Sequence, residues 1–381
     1  MRKFALARPA ALAAAAVLLA PAATPAAAQE VWRIGEVAPL SGPAATVGTR
    51  LNKVTKMWVE EANAKGGIAG RKIELTTCND ENKPEKAVAC ARDMIEKGAV
   101  IIFGNALTAS LRAIQPLVKS GPILLIPSPN VVPGADTYGF QVSPSDVDIT
   151  EAIAEFLKAN KIDKIGMVAA TDASGEVGVA SARKVFGDEK IELRLARIDL
   201  RATDASTQLA RVAGSDIKVV YSSYTGGGAI TVVKSFKNLG LAQPLIVSYG
   251  NISDAFVQLV KDVKPPRLLG TGVAGIVPEI VKDPGDRARS QAFLEAYAKR
   301  YAERPDMINL LGKAAVDVAE AILKTPNPKD YPAVKTFLES TPIPSVHTQR
   351  FSAKSHVGLD ASSVIIVELK GETWVKADPV K

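Results

Sequence analysis

Apolar residues fall along the chain at two alternating spacings, and the alternation predicts the fold. Strands are predicted at Val31 to Val37 and Arg71 to Thr77, and short continuous apolar runs of a length suited to buried strands lie at Val100 to Phe103 and Ile123 to Ile126. Between them apolar positions recur at helical spacing: Val47, Leu51, Val54, Trp58 and Ala62, then Ala87, Ala91 and Ile95, then Leu111, Ile114 and Val118. Lys65-Gly66-Gly67 stops the first of these helices with glycine in the C-cap place, and Pro84 opens the second. The order β-α-β-α-β-α-β predicts a parallel, doubly wound α/β sheet.

After Tyr138 to Val142 the alternation starts again. Helices are predicted over Asp146 to Asn160, Gly175 to Phe186, Asp204 to Ala213 and around Ile230 to Phe236. Strands are predicted over Lys164 to Ala169, Ile191 to Ile198, Ile217 to Tyr221 and Pro244 to Val247. Two successive sets of similar size suggest two similar lobes. The last third has long helical patterns at Ala288 to Ala302 and Ile308 to Leu323, with strands predicted only at Leu268 to Ile276, Val346 to Phe351 and Val364 to Leu369. Too few for a third sheet, these should complete the earlier lobes, so that the chain crosses between them more than once as a hinge.

Ligands on parallel sheets bind beyond the carboxyl ends of the strands. The unit from Ala99 to Asn130 shows what this chain puts there. Its first strand ends at Gly104 and leads to Thr108-Ala109-Ser110 at a helix start; its second ends at Pro127-Ser128-Pro129-Asn130. Free N–H groups and hydroxyls at a helix start receive an anion, most simply a carboxylate. Thr108 and Ser110, with Pro129 and Asn130, are therefore candidate ligand contacts, although Thr108 and Ser110 would also serve as plain helix caps. Gly226-Gly227-Gly228 beside Tyr224 reads as a flexible loop at the cleft rather than an anion cradle.

Composition changes the picture at three points. The chain has 381 residues, enough for two domains, with an ordinary 47% hydrophobic and 23% charged residues. Residues 1–28 combine a basic start (Arg2, Lys3, Arg8), a short Ala-rich apolar run and Ala26-Ala27-Ala28, which together predict a cleaved secretory signal and a periplasmic destination. Without that segment's three basic residues the formal charge falls from +7 to +4, and no polybasic run or aromatic–basic interleaving argues for nucleic acid. The only cysteines, Cys78 and Cys90, sit at a strand end and about two turns into the next helix; they could form a disulfide or remain two buried thiols.

Catalytic chemistry finds no footing. A Ser/His/Asp hydrolase needs a usable histidine, and the only two, His347 and His356, lie near the C-terminus with no G-x-S-x-G serine elsewhere. His356 is expected to be a satisfied surface or hinge residue. No cluster has zinc-ligand spacing, and no phosphate-binding glycine motif follows the first strand. No metal or cofactor is expected. A cytoplasmic sensor on the same fold is disfavoured by the export signal, and an exported enzyme by the missing nucleophile–base pair.

The runs IGEVAPLSGPAATVG, EEANAKGGIAGRKIEL, CNDENKPEKAV, the G-x-x-x-T from Gly104 to Thr108, YGFQVSPSD and the closing FSAKSHVGLDASSVIIVELKGETW resemble the periplasmic leucine/isoleucine/valine-binding family. The resemblance runs from about Ile34 to Trp374 and implies the type I periplasmic binding fold: two doubly wound α/β lobes joined by three crossover strands. It places lobe 1 at 29–141 and 276–349, lobe 2 at 142–275 and 350–381, and the crossovers near Phe140 to Ser143, Gly270 to Gly275 and Gln349 to Ser352. Solute would be held in the cleft and handed to an inner-membrane ABC permease. Its carboxylate would rest on Thr108 and on backbone around Pro129 to Val132.

The resemblance also bears on what the solute is. Amino-acid-binding relatives neutralise the ammonium with an acid just after the strand matching Pro244 to Val247; here that place is Tyr249. A buried ammonium without a counter-charge is costly. Aromatic wall positions of those relatives fall at Val47 and near Ser174, which are smaller, while Tyr224 and Tyr249 could stack on a ring. The expectation is a solute carboxylate without an α-ammonium, aromatic or a branched oxo-acid, with an ordinary branched-chain amino acid as the alternative.

Overall fold

The computed structural model describes residues 1, 30–42, 44–263 and 267–380, so nearly all of the predicted export signal lies outside the described residues. From Trp32 the chain alternates as expected: β1 (Trp32–Ala38), α1 (Ala45–Ala64), β2 (Ile73–Asn79), α2 (Pro84–Glu96), β3 (Ile101–Phe103), α3 (Thr108–Ile114), β4 (Ile123–Ile126) and β5 (Gly139–Gln141). These strands form one parallel sheet in the order β2-β1-β3-β4-β5. β3 and β4 are buried on both faces, as continuous apolar runs require.

The second set is α4 (Asp146–Ala159), β6 (Lys164–Ala170), α5 (Ala173–Asp188), β7 (Glu192–Ile198), α6 (Ser206–Val212), β8 (Val220–Ser222), α7 (Gly227–Asn238), β9 (Leu245–Val247), α8 (Asp254–Val260) and β10 (Leu268–Val273). Then come α9 (Pro284–Tyr301), α10 (Met307–Leu323), α11 (Tyr331–Ser340), β11 (Val364–Lys370) and β12 (Thr373–Lys376). The second sheet runs β12-β11-β10-β9-β8-β6-β7, parallel from β7 to β10, with β11 and β12 added antiparallel. The late helices return to the first sheet: α10 packs along α1 in the core that also holds Phe103 and Leu125.

The chain passes between the sheets three times: from β5 through Val142 to Ser145 into α4, from β10 through Ala274 to Val277 toward α9, and from Leu359 to Ser363 into β11. The third passage is later than 349–352. Residues 350–358, expected with the second lobe, hold to the edge of the first sheet. Val357 bridges Gln141, and the N–H of Gly358 donates to the Gln141 carbonyl at 2.9 Å. His356 explains this. Its Nδ1 lies 2.8 Å from the Gly139 carbonyl, its Nε2 2.9 Å from Glu339, and its ring stacks on Phe140.

The strand predicted at Val346 to Phe351 is absent. Only an isolated bridge, Ile343 to Gln349, forms there. Pro342 and Pro344 lack ladder donors, and α9 side chains take the backbone groups a strand would use. Arg289 Nε donates to the Ser345 carbonyl, Ser290 Oγ to that of Val346, and Asp286 accepts the Thr348 N–H. The two cysteines form a disulfide with Cα atoms 5.8 Å apart, tying the end of β2 to α2.

Candidate functional site

Every residue singled out from the sequence stands in or beside the loop after a parallel strand's carboxyl end: Val47 after β1, Thr108 and Ser110 after β3, Pro129 and Asn130 after β4, Ser174 after β6, Tyr224 after β8, Tyr249 after β9. The two lobes approach the cleft in the same way. In each, the helix that follows the first strand starts hard against that strand's end, and a glycine permits it. A Cβ on Gly48 of α1 would lie 2.2 Å from the Pro39 carbonyl oxygen, and one on Gly175 of α5 1.9 Å from that of Ala170. α3 of the first lobe touches α5 of the second, so the helix starts bearing Thr108 and Ser174 belong to elements that meet across the cleft.

On the first lobe, Thr108 is buried at the start of α3, and its hydroxyl makes no hydrogen bond among the described residues. The N-cap of α3, Leu107, supplies no side-chain acceptor, which leaves the first turn's N–H groups to another partner. Ser110 is fully buried with its hydroxyl unpartnered, and so is Ser128, which lies between the two prolines after β4. Half-buried Val47 lies in the first turn of α1 and half-buried Asn130 beside buried Pro129.

The Thr108 loop is held by a polar brace that sequence reading did not reach. Asn105 donates to Asp80 at 2.7 Å and accepts the Leu107 N–H at 2.9 Å, with both side chains fully buried. Asn79 accepts the Leu40 N–H and donates to Ser41, each at 2.8 Å, joining the loops after β1 and β2. The signal was present in CND and GNALT, where Asn and Asp follow strands, but the pairing is between loops about 25 residues apart.

On the second lobe, Ser174 donates to Asp172 at 2.8 Å within the α5 cap. Tyr224 departs from the expectation. Its ring is buried among α6, α7 and β9, against Gly228, and its hydroxyl donates to the Asp199 carbonyl at 2.9 Å. Burial, then the charges of Asp172 and Asp199, pushes that phenol up to about 12. It is a core residue, not a stacking wall. Tyr249 lines a small apolar void where the lobes join, with Pro129, Ser143, Pro144, Val273 and Met307.

Asp146, the first residue of α4, is the residue the sequence reading missed. Its N–H donates to the Pro129 carbonyl at 3.0 Å, placing it at that same junction. Its Oδ2 is buried without a partner, and burial pushes the carboxyl up to about 6 against a smaller lowering by Ser181. Burial also raises the phenols of Tyr221 and Tyr249, and the Asp146 charge adds to both. Sequence alone gives Asp146 an ordinary reading as a first-turn acid of a helix. Yet the cap is the Ser145–Asp148 box, in which Asp146 takes no part. Among the described residues no group of three or more His, Cys, Asp or Glu is disposed to hold a metal.

The model of a family described as periplasmic binding protein matches residues 31–372. A Leu/Ile/Val-binding protein BraC3 of Rhizobium johnstonii is 25% identical over 315 residues, covering 80% of this chain and 83% of that protein. A Leu/Ile/Val-binding protein homolog 3 of Brucella melitensis is 27% identical over 156 residues; this match covers 40% of the chain and only 42% of the relative's length. Among solved structures, a solute-binding protein of an ABC transporter from Rhodopseudomonas palustris, in complex with benzoate, superposes with a TM-score of 0.75 at 21% identity, covering 91% of this chain and 95% of that one.

Proposed function

The chain belongs to the periplasmic binding protein family, whose members bind small molecules and work with ABC permeases, and from that premise we propose that it is the solute receptor of a branched-chain amino acid-type importer. It takes a small carboxylate-bearing solute in the cleft and closes on it. The carboxylate rests at the start of α3, on the Thr108 hydroxyl and first-turn N–H groups, with Ser110, Pro129 and Asn130 beside it. Val47 and Ser174 are the small walls, and Tyr249 is the aromatic one. The observation that carries this reading is the free hydroxyl and uncapped first turn at Thr108, on a helix that meets α5 across the cleft.

The solute's body is proposed to be apolar or aromatic, an aromatic or oxo-acid rather than an α-amino acid. Tyrosine at position 249 and the benzoate carried by the Rhodopseudomonas protein on this fold support that reading. The names of the Leu/Ile/Val-binding relatives support the alternative, a branched-chain amino acid. Asp146 also bears on that alternative, because it brings a carboxylate to the junction of the lobes through its bond to Pro129. A thermal-shift screen of amino acids, amides and carboxylates tests the class: a receptor's melting temperature rises with its solute and the solute is recovered unchanged. Substituting Thr108→Val keeps the shape and removes a donor to a buried charge, so affinity should fall by about 1.5–3 kcal/mol. Wild-type affinity in that variant would move the carboxylate elsewhere.

A further inference from the structure

We propose that His356 carries a proton on both ring nitrogens and, in that form, pins the first and third passages between the lobes to one point, so that the hinge loosens when the second proton is lost. The inference rests on the receptor reading only in treating those passages as a hinge. The geometry calls for both protons. Nδ1 lies 2.8 Å from the Gly139 carbonyl and Nε2 2.9 Å from a carboxylate oxygen of Glu339. Carbonyl and carboxylate oxygens only accept, so each nitrogen needs an N–H to face its neighbour. A neutral ring has one N–H, and its bare nitrogen would set a lone pair against an oxygen. A proton on Glu339 would also satisfy the pair, but the carboxyl disfavours it. Burial opposes the charge on Glu339, yet hydrogen bonds from His356 and Lys335 hold that carboxyl below its ordinary value.

The charged groups about the ring come from α11: Glu339, and Lys335 paired with it at 2.9 Å. β5 and the ring's own turn bring Gly139, Phe140, Val357 and Gly358, which do not titrate. The Phe140 centroid lies 4.1 Å from that of the imidazole, close enough for an aromatic face to favour a cation. The ring is fully buried while 14% of the Glu339 side chain is exposed, so the Nε2 proton leaves to water past Glu339. Around this ring two passages are joined. The Gln141 N–H donates to the His356 carbonyl at 2.8 Å, and the Gly358 N–H to the Gln141 carbonyl at 2.9 Å. Gln141 ends β5, where the first passage begins, and Gly358 precedes Leu359, where the third begins. Without the Nε2 proton a lone pair faces the carboxylate and the double anchor slackens. Its contribution is present while His356 is charged and is lost as pH rises through that titration.

The test needs no solute, so its failure and that of the receptor reading are told apart. The chain has two histidines, and His347→Gln identifies the His356 signals in protein labelled with nitrogen-15 histidine. By NMR both His356 nitrogens should be protonated at about pH 7 and only one at about pH 9. Glu339→Gln keeps the shape but offers an amide N–H to a bare Nε2, so a neutral ring suffices. That variant should show one protonated nitrogen already at about pH 7. Hydrogen exchange then reads the hinge. From about pH 7 to about pH 9, corrected for base catalysis, the Gln141 and Gly358 amides should open about fivefold more often in the wild type. In Glu339→Gln they should open no more often. A single protonated nitrogen in the wild type at about pH 7, or no added opening by about pH 9, would overturn the proposal. The same added opening in Glu339→Gln would overturn it too.

Discussion

The backbone N–H of Asp146 donates to the carbonyl of Pro129 at 3.0 Å, joining the first helix of the second lobe to a strand-end loop of the first. The bond brings an acid into the cleft at a cost. With its carboxyl raised to about 6, the folded protein holds a charge above that pH that the unfolded chain holds from about 4 upward. This group therefore contributes stability below about pH 4, and the contribution is lost as pH rises through 6. Asp146→Asn should stabilise the ligand-free protein by about 1–3 kcal/mol at pH 7.5, with the gain shrinking toward zero near pH 4. Urea unfolding at several pH values measures it. A gap that does not change with pH would mean the carboxyl is not raised.

The Cys78–Cys90 bridge closes a short loop at the end of β2, next to Asn79 and Asp80, which brace the cleft loops. Loop closure over a separation of 12 residues accounts for about 3 kcal/mol. Replacing both cysteines by alanine should lower stability by about that amount. It should also weaken solute binding less than Thr108→Val does, because the Asn105–Asp80 bond remains. Denaturant titration and calorimetry on the same variant separate the two effects.

Much of the architecture was legible because it rests on local periodicity. The alternating βα sets, the strand-end placement of Thr108 and Pro129 and the return of the late helices all follow from apolar spacing and turn residues. The failures share a physical cause. Tyr224 follows β8 at a plausible cleft position, but which way its ring turns depends on the space above Gly228 and on the Asp199 carbonyl, 25 residues away. Asp146 looked like any first-turn acid, since the Pro129 carbonyl that its N–H meets and the burial of its Oδ2 come from parts of the chain distant in sequence. The segment after Pro342 looked like a strand because its apolar residues are real core residues, Val346 and Phe351 among them. Its backbone is nevertheless satisfied by α9 side chains.

His356 proves to be a clasp. It is fully buried, with both ring nitrogens engaged and its face on Phe140. Burial acts against the Glu339 charge, but hydrogen bonds from His356 and Lys335 outweigh it and hold that carboxyl below its ordinary value. His356→Ala would leave the Gly139 carbonyl unpaired in the interior and open a cavity beside Phe140. A loss of about 2–4 kcal/mol is expected. Limited proteolysis should then cut between residues 350 and 360 faster than in the wild type. Unchanged protection there would show that the Val357–Gln141 bridge holds the segment alone.

Three passages between the sheets, at Val142 to Ser145, Ala274 to Val277 and Leu359 to Ser363, carry few atoms each and can bend together. The α3–α5 contact joins the two lobes separately from these passages. Thr108, Ser110, Ser128 and Asp146 carry polar atoms without a hydrogen-bond partner among the described residues. A solute that satisfies them shifts the balance toward closure by its extra affinity for the closed form. Small-angle scattering should therefore give a smaller radius of gyration at saturating solute than without it. Asp146→Asn, with no buried charge to desolvate, should already be more compact when empty. An empty wild type whose profile matches the saturated one would show the lobes locked shut and remove closure from the mechanism.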